Sequence, residues 1–297
     1  MRLVSFRSRA AFGAEPGRAD RLGIVEGETL IAAGSLSRGV PGTMAALLRD
    51  WPESLLVLQA ALRADDAPEA IPLSSVELLA PVPRPGKIVA AGVNYRSHAA
   101  EGGREPPDHP VFFAKFSTSV VGDGTQIRWS PQLTQAVDYE AELAVVIGAV
   151  CRRVDEARAL NYVAGYTCLN DVSARDLQFP DRQFTRGKSL DTFGPMGPWL
   201  VTADEIADPQ SLAIRSLVNG ELRQDSNTAE MIFSVAHLIS FASQAFTLEP
   251  GDIIATGTPA GVGWYSEPKR LLKDGDEVVV EIEGIGRLVN HCREEKV

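Results

Sequence analysis

DYEAELAVVIG, residues 138–148, joins an unbroken apolar run, Leu143 to Ile147, to two carboxylates at its start, Glu140 and Glu142. The apolar part reads as a buried strand. Side chains two apart on a strand share a face, about 6.6–6.8 Å apart along the chain. Two unpaired carboxylates on a partly apolar face raise each other's pKa or require a cation. A hard divalent ion such as Mg²⁺ takes three oxygen ligands and leaves positions for water. A third candidate is Asp171, which ends the apolar run YVAGYTCL before a polar turn. The alternative is structural: Glu140 and Glu142 pair with surface arginines at a strand end, and spacing alone leaves that reading standing.

Strand patterns dominate around this stretch: KIVAAGVN, VFFAKF, GPWLVT, DIIATG and DEVVVEIEGIGRLVNHC. LAIRSLVNGELRQ reads as a hairpin turning at Asn219-Gly220. One long helix is predicted over Ala229 to Phe246, capped by Asn227 or Thr228. The first 80 residues read as short strands, MRLVSF, RLGIVEG and ETLIAAG, followed by the helical pattern MAALLRDWPESLLVLQAALRA. The three prolines of APVPRPGK, residues 80–87, suit neither a helix nor a central strand. They suggest a small N-terminal domain, 1–80, and a larger one, 81–297. The fold class expected is α+β, mainly β, with no dinucleotide fingerprint.

A length of 297 residues permits a substantial core. The net charge of -10, with no basic stripe, argues against nucleic acid as a partner. No apolar run reaches the roughly 18 residues of a membrane span or forms a signal-peptide core. The three cysteines lack CxxC spacing and read as reduced packing residues, which places the expected site of action in the cytoplasm.

Three further clusters carry candidate chemistry. In GVNYRSHAAEGG, one helical turn would bring His98 and Glu101 together at i and i+3, so that the carboxylate orients the imidazole. Glycines 102 and 103 would let that segment move as a lid. In FTRGKSLDTFGPMGPWL, Lys188 is a compact cation suited to an enolate or carboxylate oxygen. ATGTPAGVG, residues 255–263, offers close backbone approach and N–H groups to an anion. Each has a bland reading: a surface pair, an exposed loop lysine and a tight turn.

Together NYRSHAAE, FFAKF, DYEAELAVVIG, GYTCLNDVSARDLQ, RGKSLDTFGPMGPW, LVNGELRQDSNTAEMIF and LEPGDIIATGTPAGVG resemble the fumarylacetoacetate hydrolase family. The longer bacterial type, with an extra N-terminal domain, is the nearest pattern. The resemblance implies a mixed β-sandwich or β-roll catalytic domain and a homodimer. It further implies Mg²⁺ or Mn²⁺ held by Glu140, Glu142 and Asp171, a lid dyad His98–Glu101, and Lys188 in the active site. Thr258 and Gln178 would meet the substrate. Phe184 stands where many relatives carry Trp. The implied activity is metal-dependent cleavage of a carbon–carbon bond in an acylpyruvate-type 2-oxo acid, through an enolate held by the metal. An oxaloacetate-type decarboxylase or a dienedioate isomerase would pass through the same enolate.

Overall fold

Leu143 to Ile147 lie inside a twelve-stranded sheet, with every side chain buried. The computed structural model describes residues 1–9, 20–37, 39–64 and 69–295. The chain opens with β1 (Arg2–Ser8), β2 (Arg21–Glu26) and β3 (Thr29–Ala32), helices α1 (Met44–Arg49) and α2 (Glu53–Leu62), and strands β4 (Ile71–Pro72) and β5 (Val76–Leu78). Next come β6 (Ile88–Gly92), helix α3 (Arg96–Glu101), β7 (Val111–Lys115), β8 (Val120–Val121), β9 (Gln126–Trp129) and β10 (Val137–Asp138). The apolar run is β11 (Ala141–Ile147), followed by α4 (Glu156–Ala159), β12 (Val163–Asn170), β13 (Ser173–Ala174) and helices α5 (Arg175–Asp181) and α6 (Thr185–Lys188). The last third holds β14 (Gly194–Thr202), the hairpin β15 (Ala213–Val218) and β16 (Glu221–Asn227), α7 (Val235–Ala245), β17 (Ile253–Ala255), β18 (Glu277–Ile282) and β19 (Gly286–Glu294).

The large sheet runs β4-β3-β2-β1-β14-β12-β11-β17-β6-β7, and a second sheet runs β16-β15-β18-β19-β9. Leu143, Val145 and Ile147 of β11 pack with Ile214, Val280 and Leu288 of the second sheet and Leu238 and Ile239 of α7. Ala144 and Val146 point the other way, into a cluster with Met44, Leu47 and Leu48 of α1 and Leu58 of α2. Cover on both faces is why β11 lacks polar alternation. Each buried Val or Leu contributes about 1.5–3 kcal/mol. The fold is therefore α+β and mainly β, a mixed sandwich. Strand β1 pairs with β14, Arg2 opposite Val201 and Leu3 opposite Leu200. Residues on both sides of the proline-rich stretch thus share one sheet and one core.

Two helices differ from expectation. The long helix begins at Val235, capped by Ser234, whose hydroxyl accepts from the His237 N–H at 3.0 Å. Asn227 instead caps a single short turn, through Ala229 N–H at 2.9 Å. The residues between serve tertiary pairing: Met231 bridges Tyr95, and Ile232 N–H donates to the Asn94 carbonyl at 2.8 Å. The N-terminal helical pattern is broken at Pro52, because the residue before a proline is pushed out of the α region. His237 of α7 sits 2.9 Å from Glu156 through Nδ1.

Candidate active site

Strands β11 and β12 are antiparallel, with Ala141 opposite Asn170, and the site opens where their pairing ends. Asp171 N–H donates to the Glu140 carbonyl at 2.9 Å, and Asn170 Oδ1 accepts from Glu140 N–H at 3.0 Å. Glu140 therefore stands just before the strand rather than in it. The carboxylates of Glu140, Glu142 and Asp171 are all buried, with one oxygen of each within 4.8 Å of the others.

Cations crowd around them. Lys188 ends helix α6 and is buried, not exposed in a loop. Its Nζ lies 2.6 Å from both Glu140 Oε2 and Asp171 Oδ2. Lys115 Nζ lies 2.7 Å from Asp171 Oδ1 and also donates to the Lys188 carbonyl. Arg175 spans Glu140 Oε1 at 2.7 Å and Asp138 Oδ2 at 2.8 Å. Burial raises the Glu140 carboxyl, but Lys188, Arg175 and His98 outweigh it and hold the group at about 2. Glu142 goes the opposite way: burial, then the charges of Asp171 and Glu140, push it well above the carboxylate range. Burial likewise pushes the Lys115 ammonium down, against the pull of Asp171.

The buried carboxylates Asp138, Glu140, Glu142 and Asp171 thus face the buried cations Lys115, Arg175 and Lys188. Among the described residues, Glu142 is the one without an ion pair; its side chain accepts only the Gly257 N–H, at 3.0 Å. A converging, all-oxygen donor set short of one cation fits a hard divalent ion such as Mg²⁺ or Mn²⁺.

Helix α3 and the glycine-rich turn close the site from the other side. His98 and Glu101 meet across one turn of α3, Nδ1 to Oε2 at 3.1 Å. The turn does offer N–H groups to anions, but the anions are the protein's own. Gly257 donates to Glu142, Gly261 to Glu101 Oε1 at 2.9 Å, and Gly263 to Asp138 Oδ1 at 2.8 Å. Gly257 has φ +92° and a Cβ there would lie 2.7 Å from Asn94 Cβ, so the position requires glycine. The Thr258 hydroxyl donates to the Ala141 carbonyl at 2.9 Å and accepts from Gln224 at 2.8 Å, so its proton is already committed. Gln178 Oε1 accepts from Arg175 at 3.1 Å.

His98, Glu140, Glu142, Gln178, Lys188 and Thr258 line one cavity of about 40 Å³, walled by Phe113, Phe179, Phe184 and Tyr265. Asp171 lies behind it against Lys115, and Glu101 behind His98. Lys115, Arg175, Asp138 and Arg104 were not singled out from the sequence. A lysine inside the apolar run VFFAKF is a signal that could have flagged Lys115; Asp138 and Arg175 carry no such mark.

Residues 87–293 match the family model for the fumarylacetoacetate (FAA) hydrolase C-terminal domain. The chain belongs to the fumarylacetoacetate hydrolase family, whose members are enzymes acting on small molecules. Mitochondrial oxaloacetate tautomerase Fahd2a of Rattus norvegicus is 43% identical over 291 residues, 98% of this chain and 91% of the relative. Maleylpyruvate hydrolase from Sphingobium sp. SYK-6, solved in complex with manganese(II) and pyruvate, superposes with a TM-score of 0.78 at 33% identity, covering 100% of both chains. A 5-carboxymethyl-2-hydroxymuconate delta-isomerase from Mycobacterium smegmatis reaches 0.77 at 34% identity, again over 100% of both. Among the described residues, no helix is long and apolar enough to cross a membrane.

Proposed function

We propose that the chain interconverts the enol and keto forms of a small 2-oxo dicarboxylic acid of the oxaloacetate type, with Glu140, Glu142 and Asp171 holding Mg²⁺ or Mn²⁺. The observation that carries this reading is that the Glu101-oriented His98 and the buried Lys188 line the same narrow cavity as two of the carboxylates. The full-length likeness to an oxaloacetate tautomerase supports it.

When bound, the divalent ion supplies Lewis-acid charge at the 2-oxo-acid end of the substrate. Lys188 adds a fixed positive charge where the enolate oxygen develops. Glu101 engages His98 Nδ1 and leaves Nε2 to pass a proton to or from C3. The enol O–H proton leaves as C3 gains one, so the step is an isomerisation. A cavity of about 40 Å³ holds a few waters but no four-carbon acid, so α3 lifts to admit substrate and carries with it the 102–104 segment hydrogen-bonded to its last turn.

A second reading is hydrolysis of an acylpyruvate. It is favoured by the 12% exposure of the His98 side chain, which lets a water reach the imidazole, and by the likeness to a maleylpyruvate hydrolase. His98 would then deprotonate that water. The two separate in one assay series with Mg²⁺ or Mn²⁺: decay of enol-oxaloacetate absorbance against pyruvate release from acylpyruvates. Turnover of neither sinks both. In the active assay His98→Ala is expected to lower kcat by about 10²–10⁴-fold with metal affinity by calorimetry unchanged; a parallel loss of metal binding would make His98 structural.

The homodimer implied by the resemblance belongs to the same proposal. It is supported by β7, a sheet edge with exposed Val111 and, just beyond it, exposed Phe116. Sedimentation at twice the chain mass is the expected result, and a monomer at micromolar concentration would remove it.

A further inference from the structure

Arg104 lines the same cavity as His98 and Lys188, yet among the described residues its side chain has neither an ion pair nor a hydrogen bond. The other cations there are committed: Lys188 to Glu140 and Asp171, Arg175 to Asp138 and Glu140. Arg104 is exposed at the mouth, opposite in depth to the buried carboxylates. It is also tied to the lid, since its N–H donates to the Ala99 carbonyl at 2.9 Å and Gly102 N–H to the His98 carbonyl at 3.1 Å. His98, Glu101 and Arg104 therefore travel together when α3 moves.

A guanidinium at the mouth of a narrow apolar-walled cavity recognises one thing well, a planar carboxylate that it can grip with two N–H groups. We propose that Arg104 binds the distal carboxylate of a dicarboxylic 2-oxo acid and, being tied to α3, makes that contact bring His98 over the substrate. This rests on the 2-oxo acid reading above and adds the residue that chooses among such acids. A substrate lacking the second carboxylate would leave Arg104 without a partner and the lid less firmly shut.

The test titrates the full-length Mn²⁺-loaded protein by calorimetry with oxaloacetate and with 2-oxobutyrate, which share a four-carbon chain and differ in the distal carboxylate. Wild type is expected to favour oxaloacetate by about 10- to 100-fold, the range of a charge-assisted hydrogen bond. Arg104→Ala should erase that preference while its affinity for 2-oxobutyrate stays within about twofold, and Arg104→Lys should restore only part of it. In turnover, Arg104→Ala should lose kcat as well as KM for the dicarboxylate, because the lid no longer closes on it. A preference that survives in Arg104→Ala, equal weakening towards both acids, or no preference in wild type would each overturn the role of Arg104 and leave the 2-oxo acid reading intact. Failure of wild type to bind either acid would sink the reading itself, and this inference with it.

Discussion

Glu142→Gln is expected to abolish turnover and, at the same time, to raise the melting temperature of the metal-free protein. The first half follows from ligand loss. Disturbing groups that merely support metal ligands costs about 10–100-fold in affinity or activity, and removing a ligand should cost more. The second half follows from the charge pattern. Burial and the neighbouring charges of Asp171 and Glu140 already oppose ionisation of Glu142. Its one side-chain partner, the Gly257 N–H, is served equally well by an amide oxygen. Removing the repulsion should stabilise by about 1 kcal/mol, or about 2–4 °C for a chain of this size. Glu140→Gln should act in the opposite direction, since Lys188 and Arg175 would each lose a partner. Thermal melts in a chelator, alongside metal titration, check both halves. A metal-free Glu142→Gln protein that melts below wild type would show Glu142 to be a structural group.

Lys188→Met should behave differently. It leaves Glu140 and Asp171 facing each other in a buried site, and breaking a buried ion pair from one side costs about 3–5 kcal/mol. The metal-free variant should therefore melt well below wild type. Saturating Mn²⁺ should recover most of that loss, because the ion offsets the same two carboxylates. Activity should not recover: a fixed charge missing where the enolate oxygen develops costs about 10²–10³-fold. Full activity in the metal-saturated variant would reduce Lys188 to a charge balancer.

Much of the fold was legible because β11 is apolar at every position from Leu143 to Ile147 and Asn219-Gly220 marks a hairpin; the turn has both residues at positive φ, 53° and 77°. The start of α7 was not, because Asn227 and Ser234 are both good caps, and only the pairing of residues 231 and 232 with the 94–95 segment decides between them. At the site, spacing paired Glu140 with Glu142 and His98 with Glu101, but the family pattern was what set the functional reading of each pair above the bland one. Asp171 and Lys188 stood only as single candidates, and nothing but the family pattern joined them to the carboxylate pair, since their approach depends on where β12 and α6 are placed. Arg175 and Lys115 escaped notice for a related reason. Their meaning is the carboxylate each one meets, and that is a property of three dimensions.

The turn at residues 257–263 grips three carboxylates by glycine N–H groups: one in the floor of the site, one on α3 and one that steadies Arg175. Were α3 to swing away as proposed, the Gly261 bond to Glu101 and the Ala260 bond to the Ser97 hydroxyl would be given up while the bonds to Glu142 and Asp138 hold. The turn would thus be a latch with two permanent pins and two that release. Releasing one charge-assisted and one neutral bond costs about 2–4.5 kcal/mol, which would leave the site open for at most a few per cent of the time. Substrate capture is slowed by that fraction, and the arrangement of the floor is the same before and after each visit.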